Sequence, residues 1–190
     1  SLALGQTRLM GRMLTGLGES LEILSGHSEA GCERVDVSRC IRETLEAYSP
    51  GLSQRNIRVE LAIPEGLPDV RGDEVALKRV LANLLDNAAR HAGEGGLIRV
   101  ECEKRPGSVA VCVADSGPGI PPGVIERIWD PFVSLQETSA RLRRGGTGLG
   151  LASVRSLVEA MGGETWVVSE QGRGAQFWFT LLRWVETGGS

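Results

Sequence analysis

The chain has 190 residues, 41% of them hydrophobic, and a formal net charge of −3, which allows one sizeable core with a helical appendage. Acids outnumber bases, and all basic residues other than Lys78 and Lys104 are arginines, so a nucleic-acid surface is not expected. No apolar run of about eighteen residues is present and the N-terminal "SLALGQTRLMGRML" is broken by glycine and arginine, so neither a membrane span nor a signal peptide is expected.

Ala3, Thr7, Met10, Leu14, Leu17, Leu21 and Leu24 recur at alternating steps of four and three, the spacing of a helix that packs along a partner helix. A helix is expected over 1–26 and a polar, glycine-bearing linker over 27–34. "VDVSRCIRETLEAYSP" predicts a helix with Asp36 or Ser38 as its cap and Pro50 after its end. "IRVELAI" alternates as a strand stopped by Pro64, a long helix is expected over about 73–91, and "IRVECEK" and "VAVCVAD" read as strands joined across "RPGS". A helix over about 149–161 and a hairpin of "TWVVSE" and "AQFWFTL" across "QGRG" complete the pattern. Helices interleaved with mostly antiparallel strands predict an α/β two-layer sandwich with a mixed sheet, occupying 35–185, with a tail over 186–190.

Three stretches carry chemistry. On the long helix Leu77, Val80, Leu81, Leu84, Leu85 and Ala88 form one face, which places Arg79, Asn83, Asn87 and Arg90 on the other. Asparagine has no helical propensity reason to recur one turn apart, and a carboxamide oxygen is a hard neutral ligand suited to Mg²⁺. "VADSGPGIPP" ends a strand with Asp115, Gly117 and Gly119. It makes an ordinary turn, yet the aspartate can also accept from an exocyclic amine while the glycines admit a flat ring. "RLRRGGTGLGLASV" contains Gly146, Gly148 and Gly150; it lacks the preceding strand of a dinucleotide fingerprint and the lysine of a Walker loop, and it leaves a glycine-rich turn that feeds an anion-favouring helix N-terminus. The four cysteines (Cys32, Cys40, Cys102, Cys112) form no C-x-x-C pair and accompany only two histidines, so a zinc site is not expected and a reducing, cytoplasmic setting is.

In this order the motifs resemble the GHKL nucleotide-binding superfamily, and most of all the catalytic and ATP-binding domain of bacterial sensor histidine kinases. "NLLDNAARHA" looks like the N box, "DSGPGIP" like the first glycine box, "IWDPFVS" like the F box and "GGTGLGLASV" like the second glycine box. The resemblance implies the Bergerat-type sandwich, with ATP and Mg²⁺ as cofactors. It implies Asn87 as the Mg²⁺ ligand, Asn83 supporting the phosphate side and Arg90 at the position of the basic phosphate contact. Asp115 would bind the adenine amine in a pocket shaped by Gly117 and Gly119, and Phe132 would border a lid over 134–144. Gly146, Thr147, Gly148, Leu149 and Gly150 would hold the phosphates, with Arg143 and Arg144 brought to the γ-phosphate on closure.

Family members that hydrolyse ATP carry a glutamate where this chain has Asn83, whose amide cannot take a proton, so slow hydrolysis and transfer to a histidine nitrogen are expected. The departure is the acceptor. His27 lies in the linker and His91 closes the N-box helix, and neither matches the family's histidine. The implied acceptor is a histidine-bearing dimerisation hairpin, in the parent chain or in trans, whose second helix the N-terminal segment resembles. A response regulator receiver domain and a homodimeric parent, anchored to a membrane upstream or not, complete the implied setting. An anti-sigma-factor-type serine kinase and a non-catalytic ATP-binding regulator stand as alternatives.

Overall fold

The computed structural model describes residues 32–133 and 148–186. The expected N-terminal helix, most of the linker, the lid residues, Arg143, Arg144, Gly146 and Thr147, and the last four tail positions lie outside the described residues. In chain order the elements are β1 (Glu33–Val35), α1 (Val37–Gln54), β2 (Arg58–Ala62), β3 (Val70–Gly72), α2 (Glu74–Ala92), β4 (Leu97–Arg105), β5 (Ser108–Asp115), α3 (Pro122–Ile125), α4 (Gly150–Ala160), β6 (Thr165–Ser169) and β7 (Ala175–Leu182).

Five strands form a sheet in the order β2-β4-β5-β7-β6, and β1 and β3 form a separate antiparallel pair. Only the β2–β4 ladder is parallel, with Val59 beside Ile98; the other ladders of the large sheet are antiparallel. Parallel neighbours need a long crossover, and α2 supplies it. The expected mixed, mostly antiparallel sandwich is therefore the observed one. Helix α2 lies against β4 and β5 and packs between α1 and α4.

The alternation of the strands decides what each face carries. Val109, Val111 and Val113 of β5 and Phe177, Phe179 and Leu181 of β7 join the helices' apolar residues in one core. From α2, Leu77, Val80, Leu81, Leu84 and Leu85 enter it at 0–1% exposure, each contributing roughly 2 kcal/mol of gross burial. The opposite sheet face is closed by stacking. Trp166 and Trp178 lie parallel with centroids 5.6 Å apart, and the Arg105 guanidinium sits 4.8 Å over Trp166. Beneath them Ala110 and Cys112 are fully buried, which makes β5 apolar on both faces.

Helix α1 is capped by Asp36, whose Oδ1 accepts the Arg39 N–H at 3.0 Å, so of the two candidate caps it is Asp36. Pro50 lies inside α1 and does not follow it. Proline removes one backbone donor, and the carbonyl left without it belongs to exposed Glu46, where water can bond it. Strand β1 begins at Glu33, inside the stretch expected to be linker. Its partner β3 is equally short, and Val70 bridges to Arg183 beyond β7. The N-terminal turn of α2 is tied to α1 by exposed ion pairs: Lys78 reaches Glu43 at 2.6 Å and Glu74 at 2.8 Å, and Arg39 also pairs with Glu74. Hydrogen bonds from Arg39 and then Lys78 hold the Glu74 carboxyl down to about 2. A depressed carboxyl supports the fold above its unfolded value and ceases to as the pH falls toward 2.

Candidate nucleotide site

Asp73 caps α2, its Oδ1 accepting the Ala76 N–H at 3.0 Å, and the helix then runs unbroken to Ala92. Its polar stripe is half-buried at Arg79, Asn83 and Asn87 and exposed at Arg90. Asn83 faces the start of α4: a Cβ on Gly150 would lie 3.8 Å from Asn83 Oδ1. At the far end of the stripe the His91 carbonyl packs on Gly117, where a Cβ would come within 2.7 Å of it. One rigid helix thus touches the second glycine box at Asn83 and the first at His91, eight residues and about 12 Å apart. The His91 ring is held below its ordinary pKa by burial and then by Arg90, so it is neutral near pH 7.

Asp115 ends β5 at 7% exposure. Its cross-strand partners are Ile98 and Ala175, both apolar, and its Oδ1 accepts the Gly117 N–H at 2.8 Å. Burial pushes the carboxyl up to about 6, against the pull of that N–H. Gly117 admits no side chain, since a Cβ would stand 2.6 Å from Asp115 Oδ1. The turn is held further by Ser116, which donates its N–H to the Leu97 carbonyl and accepts the Leu97 N–H on Oγ at 2.9 Å.

Downstream, Trp129 is buried and meets Phe177 edge-on at 6.0 Å. Phe132, by contrast, is 70% exposed and holds φ at 65°, a left-handed conformation that a bulky residue rarely adopts. Its N–H donates to the Gly148 carbonyl at 3.0 Å. Gly148 has φ 68°, and a Cβ there would lie 2.7 Å from the Phe132 carbonyl carbon. The two residues flanking 133–147 are therefore fastened to each other. Gly148→Ala combines a left-handed penalty of about 1–2 kcal/mol with that clash. It is expected to weaken nucleotide binding about tenfold with only a few degrees lost in thermal midpoint, as read by an ATP titration beside a melt. An affinity within about twofold of the parent's would show that this fastening does not shape the site.

Helix α4 begins at Gly150 with Leu149 at its N-cap, and no side chain caps it. Its first-turn N–H groups are available to an anion. Among the described residues no group of three His, Cys, Asp or Glu side chains could hold a metal ion. A divalent ion here would be held by carboxamide oxygen, phosphates and water, which suits Mg²⁺. The structure brings Asn83 to Gly150, the His91 end of α2 to Gly117 and so to Asp115, and Phe132 to Gly148, while Asn87 and Arg90 lie on the same helix, Leu149 precedes α4 and Gly119 packs on Glu170. Ser169 and Gly174, which the sequence marks only as parts of the β6–β7 hairpin, reach this end of the site through Ile120 and Asp115.

The sequence profile described as histidine kinase-, DNA gyrase B-, and HSP90-like ATPase matches residues 72–184. The chain belongs to that family. Within the histidine kinase-, DNA gyrase B- and HSP90-like ATPases it is similar to the adaptive-response sensory kinase SasA of Crocosphaera subtropica, at 32% identity over 93% of this chain and 46% of the relative. The alginate biosynthesis sensor protein KinB of Pseudomonas aeruginosa is 33% identical over 80% of this chain and 24% of its own length. The chain spans less than half the length of these curated relatives. Among solved structures it resembles the catalytic domain of histidine kinase ThkA (30% identity, TM-score 0.70, covering 80% of this chain and 95% of that one). It also resembles full-length ShkA in complex with AMPPNP (30% identity, TM-score 0.79, 96% and 39%), and ThkA in complex with the response regulator TrrA (26% identity, TM-score 0.75, 95% and 50%). By family, then, the described fold is an ATP-binding domain of the kind that sensor histidine kinases carry. Among the described residues no helix is long and apolar enough to cross a membrane.

Proposed function

We propose that this domain binds Mg-ATP and transfers its γ-phosphoryl group to a histidine outside residues 1–190, as the catalytic part of a two-component sensor kinase. The observation that carries the reading is that α2 meets Gly117, which bonds the desolvated carboxylate of Asp115, at His91, and meets the uncapped start of α4 at Asn83, with Asn87 between. Asp115 accepts from the adenine amine, with Gly117 and Gly119 forming the walls of the pocket. Asn87 holds Mg²⁺, which offsets charge on the phosphates when bound, and Asn83 and Arg90 support the phosphates. The phosphates would be held at the uncapped start of α4, by Gly148, Leu149 and Gly150, and the family resemblance assigns Gly146, Thr147, Arg143 and Arg144 to the same task.

In the transfer a histidine ring nitrogen bonds to the γ-phosphorus as the bond to the β–γ bridging oxygen breaks, and ADP leaves. This chain contributes position and charge. Asn83 stands where a base would be needed to activate water, and its amide cannot accept a proton, so ATP survives until an acceptor arrives. The acceptor is a histidine-bearing hairpin in a homodimeric parent, and a receiver domain takes the phosphoryl group onward, in keeping with ThkA and its response regulator.

The test is to incubate the 190-residue chain with labelled ATP and Mg²⁺ alongside a separate histidine-bearing hairpin. Acid-labile label on the hairpin histidine, with little free phosphate, is the expected result. Label on serine of a supplied protein would favour the serine-kinase reading, and binding without transfer would favour a regulator.

A further inference from the structure

The turn between β6 and β7 is built into the adenine end of the site. Ser169, the last residue of β6, donates its Oγ–H to the Gly174 carbonyl at 2.7 Å and accepts the Ile120 N–H at 2.9 Å. Gly172 donates its N–H to the Pro118 carbonyl at 2.7 Å. Backbone meets backbone on both flanks: a Cβ on Gly119 would lie 2.2 Å from the Glu170 carbonyl oxygen, and one on Gly174 would lie 1.9 Å from the Asp115 carbonyl oxygen. In the sheet, Ser169 stands beside Ala175, which stands beside Asp115.

A single hydroxyl therefore bridges the loop that carries Gly117 and Gly119 to the hairpin that abuts Asp115. Gly117 in turn orients the Asp115 carboxylate through its N–H. We infer that Ser169 is a positioning residue for adenine recognition, fixing the distance between the 117–120 loop and the acceptor carboxylate. This inference rests on the reading of Asp115 as the adenine acceptor. Removing the hydroxyl strips partners from two part-buried backbone groups at once, and leaves the loop held to the hairpin by the Gly172–Pro118 bond and backbone packing. Its effect falls on the base and not on the phosphates, so ATP and ADP lose affinity alike.

The experiment uses the 190-residue chain, with ATP and ADP displacing a fluorescent ATP analogue in the parent, Ser169→Ala, Ser169→Thr and Asp115→Asn forms. Ser169→Ala is expected to weaken both nucleotides about tenfold, and Ser169→Thr, which keeps the hydroxyl, to recover to within about threefold. In the parent, ATP is expected to slow hydrogen exchange of the Ile120 amide about tenfold or more. That measurement decides the matter even where Ser169→Ala does not fold. An affinity for ATP within about twofold of the parent in Ser169→Ala, or an Ile120 amide indifferent to ATP, overturns the role of Ser169. Full ATP affinity in Asp115→Asn overturns the reading of the site beneath it, whereas loss in Asp115→Asn without loss in Ser169→Ala confines the failure to Ser169.

Discussion

Replacing Asp115 with asparagine is expected to weaken ATP binding on the order of 100-fold while making the nucleotide-free protein more stable. The amide oxygen would keep the Gly117 N–H, now bonded to Oδ1 at 2.8 Å, and so turn its NH₂ toward the place where the adenine amine must donate. Two donors then face each other in a desolvated pocket, at roughly 3 kcal/mol. Stability moves the other way. The native carboxyl titrates near 6 against 3.8 for the ordinary group, so between those values the unfolded chain has released its proton and the native one has not. Stability falls as the pH rises through that window, and above about pH 6 the full penalty of burying the charge stands, roughly 3 kcal/mol. Denaturant melts of parent and variant should therefore coincide near pH 4 and separate by pH 7 in the variant's favour. The parent's ATP affinity should decline as the pH drops below about 6. A variant less stable than the parent at pH 7 would mean that contacts to the carboxylate outweigh its desolvation.

Asn87→Ala is expected to reduce Mg²⁺-dependent transfer by at least about a hundredfold, roughly 3 kcal/mol in the barrier. The residue sits half-buried inside the C-terminal half of α2, where alanine is the better helix former by about half a kcal/mol. The helix and its apolar face are thus left intact, and a lost rate cannot be ascribed to a damaged fold. Transfer to a supplied hairpin, measured with and without Mg²⁺ and beside a thermal melt, separates the two. Undiminished transfer in this variant would remove Asn87 from the metal site.

Both variants share a pattern: each replaces a residue that the fold alone does not call for. That is also why the asparagines were legible in the sequence. Asn83 and Asn87 stand out because nothing about a helix calls for them, and the apolar face opposite them follows a 3.6-residue period from Leu77 to Ala88 that α2 reproduces. The strands of the large sheet were legible for the same kind of reason, since five or more residues suffice to show a period of two. What could not be read had no period to show. β1 and β3 are three residues each and are strands only through each other. Pro50 sits within α1 because the carbonyl that loses its donor is at the surface, a fact about exposure and not about order in the chain. Ser169 reads as a serine before a turn, and its partners at Ile120 and Gly174 arise from two loops meeting.

The bond between Phe132 and Gly148 bears on how this domain can diversify. Because Phe132 and Gly148 are joined directly by one 3.0 Å hydrogen bond, the scaffold itself sets the separation of those two positions. Between two positions held at a fixed separation, doubling the length of chain adds only about 0.6 kcal/mol of closure entropy. A fold pinned in this way can tolerate changes of chain length between residues 132 and 148 at little cost to the strands and helices on either side.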